Sequence, residues 1–353
     1  FLTRGIEGIE KTCDDVLSGV TGWRQTELAP KIGELREYRN MDIAPRSGLN
    51  VILTLDSGLQ SIVEEELLAG VETSKPKSAT VILVRPQTGE ILAMASYPNY
   101  DPNQPVSATL DNGAGKNRAI MDQFEPGSTF KIVSISSALS EGTSRLTDVV
   151  HCNHGQYTNG KWRLSDDHGY GDLSVLEVFA KSSNIGTYKI IKKVGQERFF
   201  QYIMGFGFGQ KTGVQLPGEL AGKVHHVDDW RDVTMSRVAI GYTISVTPLQ
   251  ITMAMAAIAN GGRLMQPMII DRIEYPDGKV MSHYDPHMVR QVMTPESTKA
   301  ITKAMTQVVG NKGTARRAKL DDYTVAGKTG TARKIVNGRY THTKHLASFV
   351  GFL

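Results

Sequence analysis

The apolar positions change period several times along the chain, and each change marks an element. Residues 1–49 are polar and loop-rich, with "GIEGIEKTCDDVLSG" (5–19) as their helical stretch. A β-rich run, "LNVILTLD" (49–56), opens a new pattern. In the next run, "SGLQSIVEEELLAGVE" (57–72), Leu59, Ile62, Val63 and Leu67 recur at helical spacing. Beyond the polar break "SKPK" (74–77), the run "SATVILVRPQTGEILAMAS" (78–96) reads as strand, turn at Gln87-Thr88-Gly89, strand. From residue 128 the pattern predicts a mostly helical chain, with loops rich in Gly, Asp and His near 151–172. Finally, "TVAGKTGTARKIV" and "RYTHTKHLASFVGFL" flank Asn337-Gly338, a tight-hairpin signal. A front hairpin and a back hairpin with helices between them predict an α+β fold, a central antiparallel sheet flanked by helices. No internal repeat or low-complexity segment interrupts it.

One stretch breaks its own pattern. In "EPGSTFKIVSISSAL" (125–139), Phe130, Ile132, Val133, Ile135, Ala138 and Leu139 point nearly all round a helix, which marks a buried one. Yet Lys131 lies in its first turn, three residues after Ser128, so the two share a face. A serine needs a base to become a nucleophile, and burial lowers a lysine's pKa toward that task. The free N–H groups of the helix start suit a developing oxyanion. An N-cap serine with a lysine reaching the surface explains these two residues equally well. The same Ser-x-x-Lys spacing occurs at "SKPK", where Pro76 and neighbouring charges mark an exposed linker.

Two further elements bear on the choice. "AKSSNIGTYKII" (180–191) contains the chain's sole Ser-x-Asn, Ser182 to Asn184, at a helix end or between two helices. A hydroxyl there can relay a proton and an amide can hold a substrate carbonyl; helix capping is the bland alternative. Lys-Thr-Gly occurs twice. In "FGQKTGVQLPG" (208–218) it lies among glycines and Pro217 and reads as a loop. In "VAGKTGTAR" (325–333) it runs along a strand, which can lie beside a peptide substrate. There Lys328 supplies a second cation, Thr329 a hydroxyl for a carboxylate, and Gly330 room for close approach. The Thr331 N–H can complete an oxyanion hole with that of Ser128.

Composition adds limits. Of 353 residues, 40% are hydrophobic and 22% charged, ordinary for a globular chain. The net charge of +4 is modest, and its densest cluster, Arg316-Arg317 with Lys319, has no interleaved aromatics, so no nucleic-acid partner is expected. Cys13 and Cys152 make no disulfide framework. The apolar run "ITMAMAAIA" (251–259) falls short of the ~20 residues that span a bilayer. The start at Phe1 and the apolar close "LASFVGFL" suggest an ordered piece of a longer chain. "HCNHG" (151–155) with Asp166, Asp167 and His168 invites a metal site but lacks a second ligand pair at zinc spacing, so no metal is expected.

Ser-x-x-Lys, Ser-x-Asn and Lys-Thr-Gly, in this order, are the motif set of penicillin-binding proteins and class A β-lactamases. The chain resembles a class B penicillin-binding protein, and within it the division-specific FtsI type. The likeness extends through "VILTLDSGLQSIVEEEL", "TGEILAMASYPNYDPN", "KNRAIMDQFEPGSTFK", "KSSNIG", "IGYTISVTPLQ" and "GTARRAKLDDYTVAGKTGTA", over residues 49–353. "GIEKTCDDVLSG" (8–19) resembles the end of the family's pedestal domain, with Cys13 where an aromatic is usual.

The resemblance implies a pedestal remnant over 1–49 and a C-terminally incomplete transpeptidase domain over 50–353. It implies a D,D-transpeptidase that cross-links peptidoglycan stem peptides in septal wall synthesis through a Ser128 acyl-enzyme. Lys131 is then the base, Ser182 the proton relay and Asn184 the holder of the substrate amide. Lys328, Thr329 and Thr331 bind the carboxylate. No cofactor is implied. β-Lactams would acylate Ser128. The family has an N-terminal membrane helix and works on the outer face of the bacterial cytoplasmic membrane, beside a SEDS-family glycosyltransferase and divisome proteins. A serine β-lactamase and a β-lactam sensor domain share the motifs. No Glu-x-x-Leu-Asn-like loop for a class A water is found, and the pedestal-like segment argues against a sensor.

Overall fold

The computed structural model describes residues 4–31, 33–35, 41–101, 113–311, 313–336 and 339–353. They fall into two compact units. The first comprises Phe1–Thr54, Val214–Gly218 and Met268–Asp285. Its helical stretch is two short helices, Gly8–Thr12 and Asp14–Leu17, with Cys13 buried at their junction. Two small ribbons follow, Trp23–Gln25 with Met41–Ile43 and Glu27–Ala29 with Gly33–Leu35. Strand Asn50–Leu53 pairs with Ile270–Glu274, which also pairs with Val280–His283.

The second unit, Leu55–Gly213, Glu219–Pro267 and Pro286–Leu353, holds every motif singled out above. Helix Ser57–Ser74 starts where the Asp56 carboxylate accepts from Leu59 N, satisfying an orphan N–H. It packs on the front hairpin, Ala79–Val84 with Ile91–Tyr97, where Gln60 exchanges two hydrogen bonds with the Met94 backbone. Helix Lys131–Ser140 is the core of the unit: Lys131 through Ala138 are all buried. Phe130, just before it, packs edge-on against Phe199 and Phe208. The back hairpin pairs Ala326–Val336 with Arg339–Phe352, and its Asn337-Gly338 turn lies outside the described residues. Helix Pro295–Val309 packs against its first strand.

Every described strand pairing is antiparallel, in an α+β arrangement. The region after 128 carries more strand than the pattern predicts. Trp162–Ser165 pairs with Gln156–Asn159, Asp172–Ser174 with Val149–His151, and Met288–Gln291 with Arg263–Met265. Strands of three or four residues are too short to display a period of two, and so they read as loop.

Candidate active site

Ser128 stands in a 3-10 turn, Gly127–Phe130, that runs directly into the buried helix. Gly127 has φ +54 and donates its N–H to Gly241 O at 3.0 Å. Gly241, at φ +80, lies so near that a Cβ on it would come within 2.1 Å of Gly127 O. Only a glycine at 241 can pass this close to the turn, and Gly127 takes its positive φ without strain. Thr129 Oγ1 donates to Pro126 O at 2.7 Å and closes the turn. The Lys131 N–H donates to Ser128 O, so serine and lysine occupy successive rungs of one face.

Ser182 sits between helices Val175–Ala180 and Asn184–Val194, and Asn184 opens the second. The first helix begins with a capping box, Ser174 with Glu177. After it the chain turns sharply, with Ser182 at φ +60, a conformation that costs a non-glycine residue about 1 kcal/mol or more. The reversal directs three oxygens at one ammonium. Lys131 Nζ donates to Ser182 O at 2.6 Å, to Asn184 Oδ1 at 2.7 Å and to Ser182 Oγ at 3.2 Å. Asn184 is engaged at its other end too, donating from Nδ2 to Ser165 O at 2.9 Å.

The third element arrives on the Ala326–Val336 strand. Lys328 is fully buried and donates to Ser182 Oγ at 3.0 Å, so that one hydroxyl lies between two lysines. Its ammonium also reaches Thr329 O and the face of Phe179. Gly330 explains how the strand comes so close to the serine turn. A Cβ there would lie 2.8 Å from Thr129 Cγ2 and 3.1 Å from Pro126 O. Thr329 Oγ1 pairs with Thr314 Oγ1 at 2.7 Å. Thr331 is exposed on the same strand.

Burial dominates the electrostatics. It pushes Lys131 from 10.5 down to about 7, against an upward pull from Asp166 and Asp167. Lys328 is lowered as well, by burial and then by the charge of Lys131. Two ammonium groups facing one hydroxyl titrate as a pair, and at neutral pH one of them is poised to lose its proton.

The competing motif copies lie elsewhere. Lys211 is exposed, and its neighbours serve a buried carboxylate: Thr212 N and Gly213 N donate to Glu219 at 2.6 and 3.2 Å. Ser74 ends a helix and Lys77 is exposed. Among the described residues no group of three or more His, Cys, Asp or Glu could hold a metal ion. Within the stretch considered for a metal, His151 pairs with Asp172, and Asp166 turns to the start of the Asn184–Val194 helix. Sequence reasoning missed that role for Asp166, because its partners are backbone N–H groups 18 and 19 residues later.

The penicillin binding protein transpeptidase domain model matches residues 79–353. Stage V sporulation protein D of Bacillus subtilis is 34% identical over 99% of this chain and 54% of its own length. The probable peptidoglycan D,D-transpeptidase PenA of Neisseria meningitidis is 33% identical over 99% of this chain and 58% of its own. The chain thus spans a little over half the length of these two relatives. The crystal structure of penicillin-binding protein 3 from Mycobacterium tuberculosis in complex with ampicillin superposes with a TM-score of 0.87 at 32% identity, over 99% of this chain and 75% of that one. The chain belongs to the penicillin-binding protein transpeptidase family.

Proposed function

We propose that the protein is a serine D,D-transpeptidase that cross-links peptidoglycan stem peptides and is acylated by β-lactams. The observation that carries this is the convergence of two fully buried lysines on the Ser182 hydroxyl, one of them a single turn from Ser128. A lysine near 7 is about half neutral at neutral pH, whereas an unperturbed one is neutral to less than about 0.1%. Neutral Lys131 takes the Ser128 proton as Oγ bonds to the carbonyl carbon between two terminal D-alanines. The N–H groups of Ser128 and Thr331 stabilise the oxyanion. As the C–N bond breaks, the proton passes through Ser182 Oγ to the departing D-alanine. Asn184 Nδ2 turns from Ser165 O to the substrate amide, while Lys328, Thr329 and Thr331 hold the terminal carboxylate. An acceptor amine then attacks the ester, forms the new amide and returns Ser128 to its hydroxyl. None of these steps involves a redox change, a metal or an organic cofactor.

The named relatives include a D,D-transpeptidase and a sporulation protein, and a structural neighbour was crystallised with ampicillin, which supports the substrate and inhibitor class. A septal role on the outer face of the cytoplasmic membrane, with a SEDS-family glycosyltransferase and divisome partners, follows from the FtsI-type resemblance. So does a pedestal origin for residues 1–49. No helix among the described residues is long and apolar enough to cross a membrane.

Intact-mass measurement of the full-length protein after benzylpenicillin, beside Ser128→Ala, tests the reading. One adduct, stable for hours and absent from the variant, is expected. An adduct lost within seconds would instead identify a β-lactamase, and no adduct would remove Ser128 as nucleophile.

A further inference from the structure

Asp166 closes the Trp162–Ser165 strand and reaches the turn that holds Lys131. Its Oδ2 accepts from Ser183 Oγ at 2.7 Å, and its Oδ1 accepts from Asn184 N at 2.5 Å and Ile185 N at 3.0 Å. Ser183 Oγ in turn accepts from Gly186 N at 2.9 Å, so carboxylate and hydroxyl together satisfy the first N–H groups of the Asn184–Val194 helix. Their combined effect falls on Ser182, held at positive φ with its carbonyl aimed at Lys131 Nζ. Asn184, whose N–H Asp166 fixes, presents Oδ1 to the same ammonium. The hairpin bearing Asp166 is itself anchored, because Tyr157 and Trp162 pack against buried Tyr188 of that helix.

We propose that Asp166 is a positioning residue for acylation: it holds the Ser182–Asn184 turn in the shape that cradles Lys131. This rests on the function proposed above. The charges facing Lys131 are Asp166 and Asp167 from the hairpin side and Lys328 from the strand side, the last across Ser182 Oγ. Asp166 also raises the pKa of Cys152 and Tyr170, each raised first by burial. Lys131 must lose its proton to act as base, so the Asp166 charge, working against burial, raises the pH at which acylation switches on.

Two substitutions separate shape from charge. Asp166→Ala removes both, and in the full-length protein is expected to slow acylation by a fluorescent penicillin about tenfold or more. Asp166→Asn keeps an oxygen for Asn184 N and Ile185 N but removes the charge. It is expected to recover most of the rate above pH 7 and to move the acidic limb of the rate–pH profile to lower pH than in the wild type. A second readout needs no turnover: carbon-13 titration of lysine-labelled protein, with Lys131→Met for assignment, is expected to show Lys131 deprotonating at lower pH in Asp166→Asn. Wild-type rates in Asp166→Ala would overturn the proposal. So would an unshifted titration and limb in Asp166→Asn, which would leave Asp166 a helix cap alone. A wild type that takes no label would defeat the proposed function, and the lysine titration would still decide the role of Asp166.

Discussion

A lysine in an apolar helix and a lysine in a glycine-rich loop carry the same side chain, and their surroundings decide what each can do. Lys131 and Lys328 are fully buried and share Ser182 Oγ, whereas Lys211 faces solvent with its Thr and Gly neighbours turned to Glu219. Lys328→Ala is therefore expected to lower acylation by a β-lactam about ten- to a hundredfold, since the carboxylate loses a buried charge-assisted contact worth roughly 1.5–3 kcal/mol. Lys211→Ala should leave the rate unchanged. Stopped-flow acylation of both variants measures this, and an equal loss would mean that the wrong Lys-Thr-Gly has been placed at the site. The candidate residues that converge on Ser182 were legible in the sequence because a polar group in an apolar run, and a motif on a strand, contradict their neighbours. Asp166 contradicts nothing around it. It sits in a polar loop, and the backbone N–H groups it binds have no residue identity to recognise.

Among the elements, the Gly127–Phe130 turn and the Ala326–Val336 strand meet closely, and Gly330 makes the meeting possible. A Cβ on Gly330 would lie 2.6 Å from Ser348 Oγ and 2.8 Å from Thr129 Cγ2, with Pro126 O beyond. Overpacking a tight contact of this kind costs about 1–3 kcal/mol. Gly330→Ala should thus lower the urea midpoint and, by pushing Lys328 and Thr331 away from Ser128, slow acylation about tenfold or more. A variant that matches the wild type in both would show that the strand can give way without disturbing the site. The long elements were readable for good reason. The Ser57–Ser74 helix has its Asp56 cap, and the two main hairpins are long strand runs flanking turn residues. The small ribbons at 149–174 were not, although one of them delivers Ser165 and Asp166 to the site. That ribbon is held by aromatic packing of Tyr157 and Trp162 on Tyr188, a long-range contact with no local period.

At the scale of the whole molecule, the site imposes a cost on the fold. An ammonium in a dry core is unfavourable, and Lys131 responds by holding its pKa at about 7 where the unfolded chain has 10.5. Below pH 7 the lysine is protonated in both states, the full penalty of the buried charge is present, and stability does not vary with pH on its account. Between pH 7 and 10 the unfolded chain binds one proton more than the folded one, so stability rises with pH, by about 1.4 kcal/mol per unit at most. Lys328, also lowered, acts in the same direction. The buried thiols Cys13 and Cys152, whose pKa values are raised, oppose the trend only above the ordinary thiol range. The window from pH 6 to 8.5 therefore isolates the lysines. Urea midpoints of the full-length protein should climb between pH 7 and 8.5, and the climb should be smaller in Lys131→Met, which has no proton to lose there. Parallel curves for the two proteins would mean that Lys131 titrates near its ordinary value in the folded state, and a lysine that stays charged at pH 7 could not serve as the base for Ser128.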